Sequence, residues 1–139
     1  MDVYLDSSTL LSVILQQQPK LANWAEWDRS FTSTVTQTEC RRTIDRARLE
    51  GHLSDDETVA FAHDLLRRLL VGVAIIELTP VLLREAGAPM TTVVRTLDAI
   101  HLVTARAARL ARAPQLVFAT HDRRQATAAV AMGFDVMGI

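Results

Sequence analysis

Apolar and polar positions run along this chain in blocks that read as strands, each followed by a helix. Val3-Tyr4-Leu5 is a short apolar run that predicts a strand, and Asp6-Ser7-Ser8 follows it with side chains suited to a helix N-cap. From Thr9 to Gln16, Leu10, Leu11, Ile14 and Leu15 recur at helical spacing. Pro19 opens a second predicted helix through Leu21, Trp24 and Trp27, with the two tryptophans as neighbours on one face. Phe31 to Val35 is short and β-prone, and a helix from about Thr36 to Glu50 follows it, with Gly51 placed to end it.

The same alternation continues in the second half. Ser54-Asp55-Asp56-Glu57 has the form of a capping box and leads a helix to about Leu70. Val73-Ala74-Ile75-Ile76 predicts a buried strand stopped by Thr79-Pro80, with a short helix after Pro80 that ends near Gly87. Thr96 is placed to cap a long amphipathic helix carrying Leu97, Ile100, Val103, Thr104 and Ala107. Gln115 to Ala119 predicts a strand and Thr120-His121-Asp122 a second strand-to-helix turn. Arg124 to Met132 then predicts a helix closed by Gly133, and Phe134 to Met137 a last strand. Strands alternating with helices predict a three-layer α/β/α sandwich around a mostly parallel central sheet, joined by right-handed crossovers. No repeat, low-complexity tract or linker interrupts the pattern, so residues 1–139 read as a single domain.

Composition narrows the classes. The chain has 139 residues, 49% hydrophobic and 22% charged, a globular balance rather than that of a disordered tail. No apolar run approaches the roughly 18 residues needed to span a bilayer. Acids occupy the N-terminal stretch where a signal peptide needs positive charge. Cys40 is the only cysteine, which excludes an internal disulfide and disfavours a cysteine-based zinc site. Together these point to the cytoplasm and away from a membrane. The formal net charge of −1 does not announce a nucleic-acid binder, but the basic residues are clustered and all but Lys20 are arginine. Arg41-Arg42 with Arg46 and Arg48, Arg106 with Arg109 and Arg112, and Arg123-Arg124 form three groups whose planar forks suit phosphate. Solvated helix faces explain such groups equally well.

Candidate chemistry gathers where strands end. In an open parallel sheet, ligands bind at the carboxyl ends of the strands. Asp6 immediately follows the first strand and Glu39 lies near the start of the helix after the second. Asp122 comes just past the Val117-to-Thr120 segment, and Asp98 sits in the first turn of the long helix. Each acid also suits a helix N-terminus through the macrodipole, and Thr36 with Glu39 has the form of a capping box. Asp6 is set apart, because Ser7 and Ser8 are available to cap in its place. Four converging carboxylates would repel one another, and a hard divalent ion such as magnesium or manganese relieves that repulsion.

Four segments then carry a family resemblance: Asp6-Ser-Ser-Thr-Leu-Leu, Thr32-Ser-Thr-Val-Thr-Gln-Thr-Glu39-Cys-Arg-Arg, Thr96-Leu-Asp98-Ala-Ile-His-Leu-Val-Thr-Ala and Ala119-Thr-His-Asp122-Arg-Arg. Their order resembles the signature segments of PIN-domain nucleases, and their spacing resembles the VapC toxins of VapBC toxin–antitoxin pairs in particular. The likeness runs from Asp6 to Gly133. It implies a PIN-like fold and a metal-dependent ribonuclease, with Asp6, Glu39, Asp98 and Asp122 holding one or two Mg2+ or Mn2+ ions. It implies support from Ser8 and Thr120, hydrolysis by an activated water, and products with a 5′-phosphate and a 3′-hydroxyl. Asp6 and Asp98 are the first choices for direct ligands, Asp122 binds directly or through water, and Glu39 orients the nucleophile. Arg41, Arg42, Arg123 and Arg124 are candidate contacts to RNA phosphates. A small antitoxin and a homodimer are the implied partners, with the Leu10-to-Leu15 helix and the Trp24/Trp27 segment as candidate antitoxin surfaces or, alternatively, core.

Other readings fare less well. A receiver-type domain wants a late lysine, a dinucleotide-binding domain wants a Gly-x-Gly-x-x-Gly after the first strand, and a dehalogenase-like phosphatase wants an acid where Ser8 stands. The alternative from another class is a catalytically inactive PIN-fold module that binds RNA or protein. His101 is expected on a helix face or at a partner contact rather than on a metal. His121 could reach substrate, and His52 and His63 fall in exposed middle helices.

Overall fold

Three consecutive apolar residues, Val3, Tyr4 and Leu5, have no exposed surface at all, which requires cover on both faces of their strand and a neighbour on each side. The computed structural model, which describes residues 1–22 and 24–139 and only the backbone at Ala25, supplies both. Strand β1 (Asp2–Leu5) is central in a five-stranded sheet, between β2 (Arg29–Ser33) and β4 (Val117–Ala119). The outer strands are β3 (Val73–Ile76), beside β2, and β5 (Asp135–Met137), beside β4. Every pairing is parallel, and Tyr4 is in register with Phe31 on one side and Phe118 on the other.

Alternation along β1 divides the core in two. Tyr4 packs with Phe31, Phe118, Leu102, Ala128 and Phe134, beneath helices α5 (Thr96–Ala111) and α6 (Arg123–Ala131). Val3 and Leu5 pack on the opposite face with Leu10, Ile14, Ile44 and Leu66, beneath α1 (Ser7–Ile14), α2 (Val35–Leu49) and α3 (Asp56–Leu69). A short α4 (Pro80–Ala86) lies against α5. The result is a three-layer α/β/α sandwich on an all-parallel sheet, as the strand–helix alternation predicts. Among the described residues no helix is long and apolar enough to cross a membrane.

Several local expectations are corrected. Among the described residues no α-helix opens at Pro19 and a single 3-10 turn forms at Trp24–Glu26; the part of the expected helix at Asn23 lies outside the described residues. The tryptophan rings still meet, with centroids 5.0 Å apart, and both pack against the α1–α3 core. Leu10 and Ile14 are buried in that same core, so this face of α1 is committed to packing rather than to a partner. Strand β3 is an edge strand, not a buried one: Ala74 and Ile75 are exposed because β3 has a neighbour on one side only. At the start of α3 the cap is Asp55, accepting from the Thr58 N–H at 2.7 Å, and not Ser54. Thr96 is already inside α5, whose N-cap is Arg95.

Candidate active site

Parallel strands all end on one edge, and the helices that follow begin there with their N–H groups unpaired. Asp6 follows β1 directly, is buried, and is the N-cap of α1. The expected substitution of a serine for Asp6 in that role does not occur, because the Ser8 hydroxyl is spent on Asp6 itself at 2.5 Å. The Ser8 backbone N–H at 3.2 Å and the Thr120 hydroxyl at 3.0 Å donate to the same oxygen, Oδ2. Asp122 is the N-cap of α6, where its Oδ1 accepts from the N–H groups of Arg124 at 2.8 Å and Gln125 at 3.2 Å. Each of these acids therefore uses one oxygen for its helix and keeps the other toward the cluster. Oδ1 of Asp6 lies 3.6 Å from His101 Nε2, and Oδ2 of Asp122 lies 3.9 Å from Arg95 Nη2.

Two hydroxyls tie the β4–α6 turn to Asp6. Ser8 Oγ accepts from the His121 N–H at 3.0 Å, and Thr120 Oγ1 accepts from the Asp122 N–H at 3.1 Å. A similar ladder crosses the ends of β1 and β2. The Thr32 hydroxyl donates to the Leu5 carbonyl at 2.7 Å and therefore accepts from Thr36 at 2.7 Å. Thr36 is thus buried and engaged, and the expected capping box with Glu39 does not form: α2 begins at Val35, and Thr34 makes no side-chain cap bond. Glu39 turns instead to His101, whose Nε2 donates to Oε2 at 2.6 Å.

Asp98 lies in the first turn of α5, partly buried. Its carboxyl is held above the ordinary aspartate range, first by burial and then by the charges of Asp6 and Asp122, which Arg95 and His101 offset only in part. Arg95, exposed and one turn before Asp98, sits 3.9 Å from Asp98 Oδ2 as well as from Asp122. His101 has no exposed surface. Burial alone would lower its pKa, but the Glu39 hydrogen bond and the charges of Asp6, Glu39 and Asp98 raise it above the ordinary histidine value. The fourth partner is Tyr4, whose hydroxyl lies 2.9 Å from His101 Nδ1 and whose own ionisation is pushed up by burial and by Asp6 and Glu39.

The four sequence-selected acids thus occupy one edge of the sheet, with Ser8 and Thr120 on Asp6. The arginines do not share that position uniformly. Arg42 is on the outer surface of α2 in an ion pair with Asp45 at 2.9 Å, and Arg41 faces α3 beside Arg67 and His63. Arg124 is exposed, while Arg123 joins Ser8, His121, Asp122 and Arg46 in a groove of about 680 Å3 that leads away along α1 and α2. The sequence pattern does not single out Arg95 or Tyr4, names Arg46 only as one of a basic group, and places His101 on a helix face or at a partner contact rather than in the site. A signal for His101 was present, since it stands three positions after Asp98 and so on the same helix face.

As they stand, no three His, Cys, Asp or Glu side chains among the described residues are close enough together to hold a metal ion. The donor set nevertheless fits a hard divalent cation in kind: carboxylate oxygens predominate, and Asp98 is held against ionisation by burial and then by the charges of Asp6 and Asp122. A parallel α/β/α sandwich that collects carboxylates at one edge is an architecture that nuclease-type folds share with several other enzyme classes. The family model described as the PIN domain matches residues 3–131, and the chain belongs to that family. PIN domains are generally nucleases and typically use divalent ions. Among curated proteins no significant match to the chain is found.

Proposed function

We propose that this PIN domain is a Mg2+- or Mn2+-dependent ribonuclease that hydrolyses RNA phosphodiesters, with residues 1–139 forming one catalytic unit. The observation that carries the reading is the gathering of Asp6, Asp98 and Asp122 at one edge of the sheet, where the Thr120 hydroxyl bonds to Asp6 and to the Asp122 backbone and Arg95 lies 3.9 Å from both Asp98 and Asp122. Asp6 and Asp98 are the first choices to hold the ion, Asp122 would assist directly or through water, and Glu39 would complete the set of acids around the ion and orient the attacking water. An ion bound there supplies charge neutralisation at the phosphate and a more acidic water. Ser8 and Thr120 fix Asp6 by donating to Oδ2. Arg95 and Arg123 are exposed at the rim, where guanidinium groups suit phosphate oxygens. In the reaction a P–O bond forms to water and the bond to the 3′-oxygen breaks, so the products carry a 5′-phosphate and a 3′-hydroxyl.

The four signature segments further support a cytoplasmic toxin of the VapC kind, neutralised by a small antitoxin and acting as a homodimer. Incubation of the full chain with several RNAs and Mn2+, with and without chelator, tests the enzymatic reading. Chelator-sensitive cleavage lost in Asp98→Asn is expected, whereas RNA binding without any such cleavage would make the protein a binding module. Induction of the wild type beside Asp98→Asn tests the toxin role, with growth arrest expected from the wild type alone. Equal growth of the two would remove that role.

A further inference from the structure

Position 101 lies in the middle of a core-facing stretch of α5, between Ile100 and Leu102, where the helix pattern calls for an apolar side chain. It carries a fully buried imidazole instead. Burying that ring is unfavourable unless its nitrogens are hydrogen-bonded. Both are engaged, Nε2 with Glu39 Oε2 at 2.6 Å and Nδ1 with the Tyr4 hydroxyl at 2.9 Å. A carboxylate only accepts, so Nε2 carries the proton in the first contact. Tyr4 is itself immobile, stacked on Phe118 with centroids 5.2 Å apart and meeting the imidazole edge-on at 74°.

Among the described residues no second polar partner holds Glu39. Its side chain is partly exposed on three rotatable torsions, it stands among like charges, and its only hydrogen bond among the described residues is the one from His101. Without that donor, repulsion and rotamer freedom both favour swinging the carboxylate into solvent.

We propose that His101, braced by Tyr4, is a positioning residue that holds the Glu39 carboxylate within the acidic cluster. The use to which the held carboxylate is put rests on the metal-dependent reading above; the holding does not. Glutamine can present an amide N–H where Nε2 stands, while asparagine, one methylene shorter, cannot reach Glu39. The full chain is titrated with Mn2+ by calorimetry, and each variant's fold is checked by circular dichroism. His101→Asn is expected to weaken Mn2+ binding about 10–100-fold, as loss of a ligand-orienting partner does. His101→Gln is expected to restore most of it, and the RNA kcat to fall in His101→Asn with KM little changed. In chelator, a urea double-mutant cycle between His101→Asn and Glu39→Ala is expected to be non-additive. Additive midpoints, or a His101→Gln variant as impaired as His101→Asn, would overturn the proposal. A wild type that takes up no Mn2+ would sink the metal-dependent reading instead, and the metal-free cycle would then decide the positioning role alone.

Discussion

The Thr120 hydroxyl donates to Asp6 Oδ2 at 3.0 Å, joining two residues 114 positions apart at the ends of adjacent parallel strands. The contact is buried and charge-assisted, and the same threonine oxygen accepts the Asp122 N–H, so one hydroxyl fixes two of the four acids. Thr120→Val keeps the shape and removes both interactions. Loss of a buried hydrogen bond to a charged group costs about 1.5–3 kcal/mol. Urea denaturation should report a destabilisation of that order, and a change below about 0.5 kcal/mol, the usual scatter of neutral substitutions, would contradict the arrangement.

Asp98 gives the opposite sign. Its carboxyl is raised by burial and by Asp6 and Asp122, so the folded chain binds this proton more tightly than the unfolded chain does. Stability from this group is therefore greatest at low pH and is lost as pH rises from the unfolded aspartate value through the raised folded one. In chelator at pH 7, Asp98→Asn should melt at a higher temperature than the wild type, with the gap closing as the pH approaches 4. An ion held by the acids reverses the order. At a free Mn2+ concentration 100 times its Kd the wild type should gain about 2.7 kcal/mol, and Asp98→Asn should gain far less. Identical melting of the two proteins at every pH, with and without Mn2+, would remove the shared field.

Periodicity made most of this architecture legible. Strand β1, α5 and α6 are long or strongly patterned enough to be read from spacing; the strand-to-helix junctions pointed to Asp6, Glu39 and Asp122, and the first turn of α5 to Asp98. What escaped was decided by contacts distant in sequence. Ser7 and Ser8 are good caps in isolation, but the Ser8 hydroxyl links Asp6 to the His121 N–H 113 positions away, and the Thr36 hydroxyl is taken by Thr32, itself bonded to Leu5 27 positions away. The exposure of β3 follows from its place at the edge of the sheet, which local hydrophobicity does not encode. His101 was discounted because its partners lie 62 and 97 positions away.

Cys40 directly follows Glu39 but faces the core, with no exposed surface. Burial, and secondarily the charges of Glu39 and Asp6, push its thiol up to about 12, so almost no thiolate exists at pH 8. The native protein should therefore resist a thiol-specific reagent such as DTNB, with one thiol released per chain once urea unfolds it. Rapid modification of the folded chain at pH 8 would show that the start of α2 does not pack as described.

Gly138, in an ending that carried no signal in the sequence, closes the back of the same turn. Its φ of +97° lies in the left-handed region, and a Cβ there would come within 2.7 Å of the Thr120 carbonyl oxygen and 2.9 Å of Leu21 Cδ2. Its own carbonyl accepts from His121 Nδ1 at 2.6 Å, so the glycine backs the Thr120-His121-Asp122 segment that Ser8 grips from the other side. Gly138→Ala must either bear the strained backbone, which costs about 1–3 kcal/mol, or displace the turn. The expected result is a lower melting temperature together with reduced RNA cleavage, since Thr120 and Asp122 move with the turn. A control, Gly51→Ala, has a positive φ of 78° but open space around its Cβ at the distant end of α2, and should lower stability without touching the site. If Gly138→Ala matched that control in both stability and cleavage, the close approach to Thr120 would have no consequence for the acidic edge.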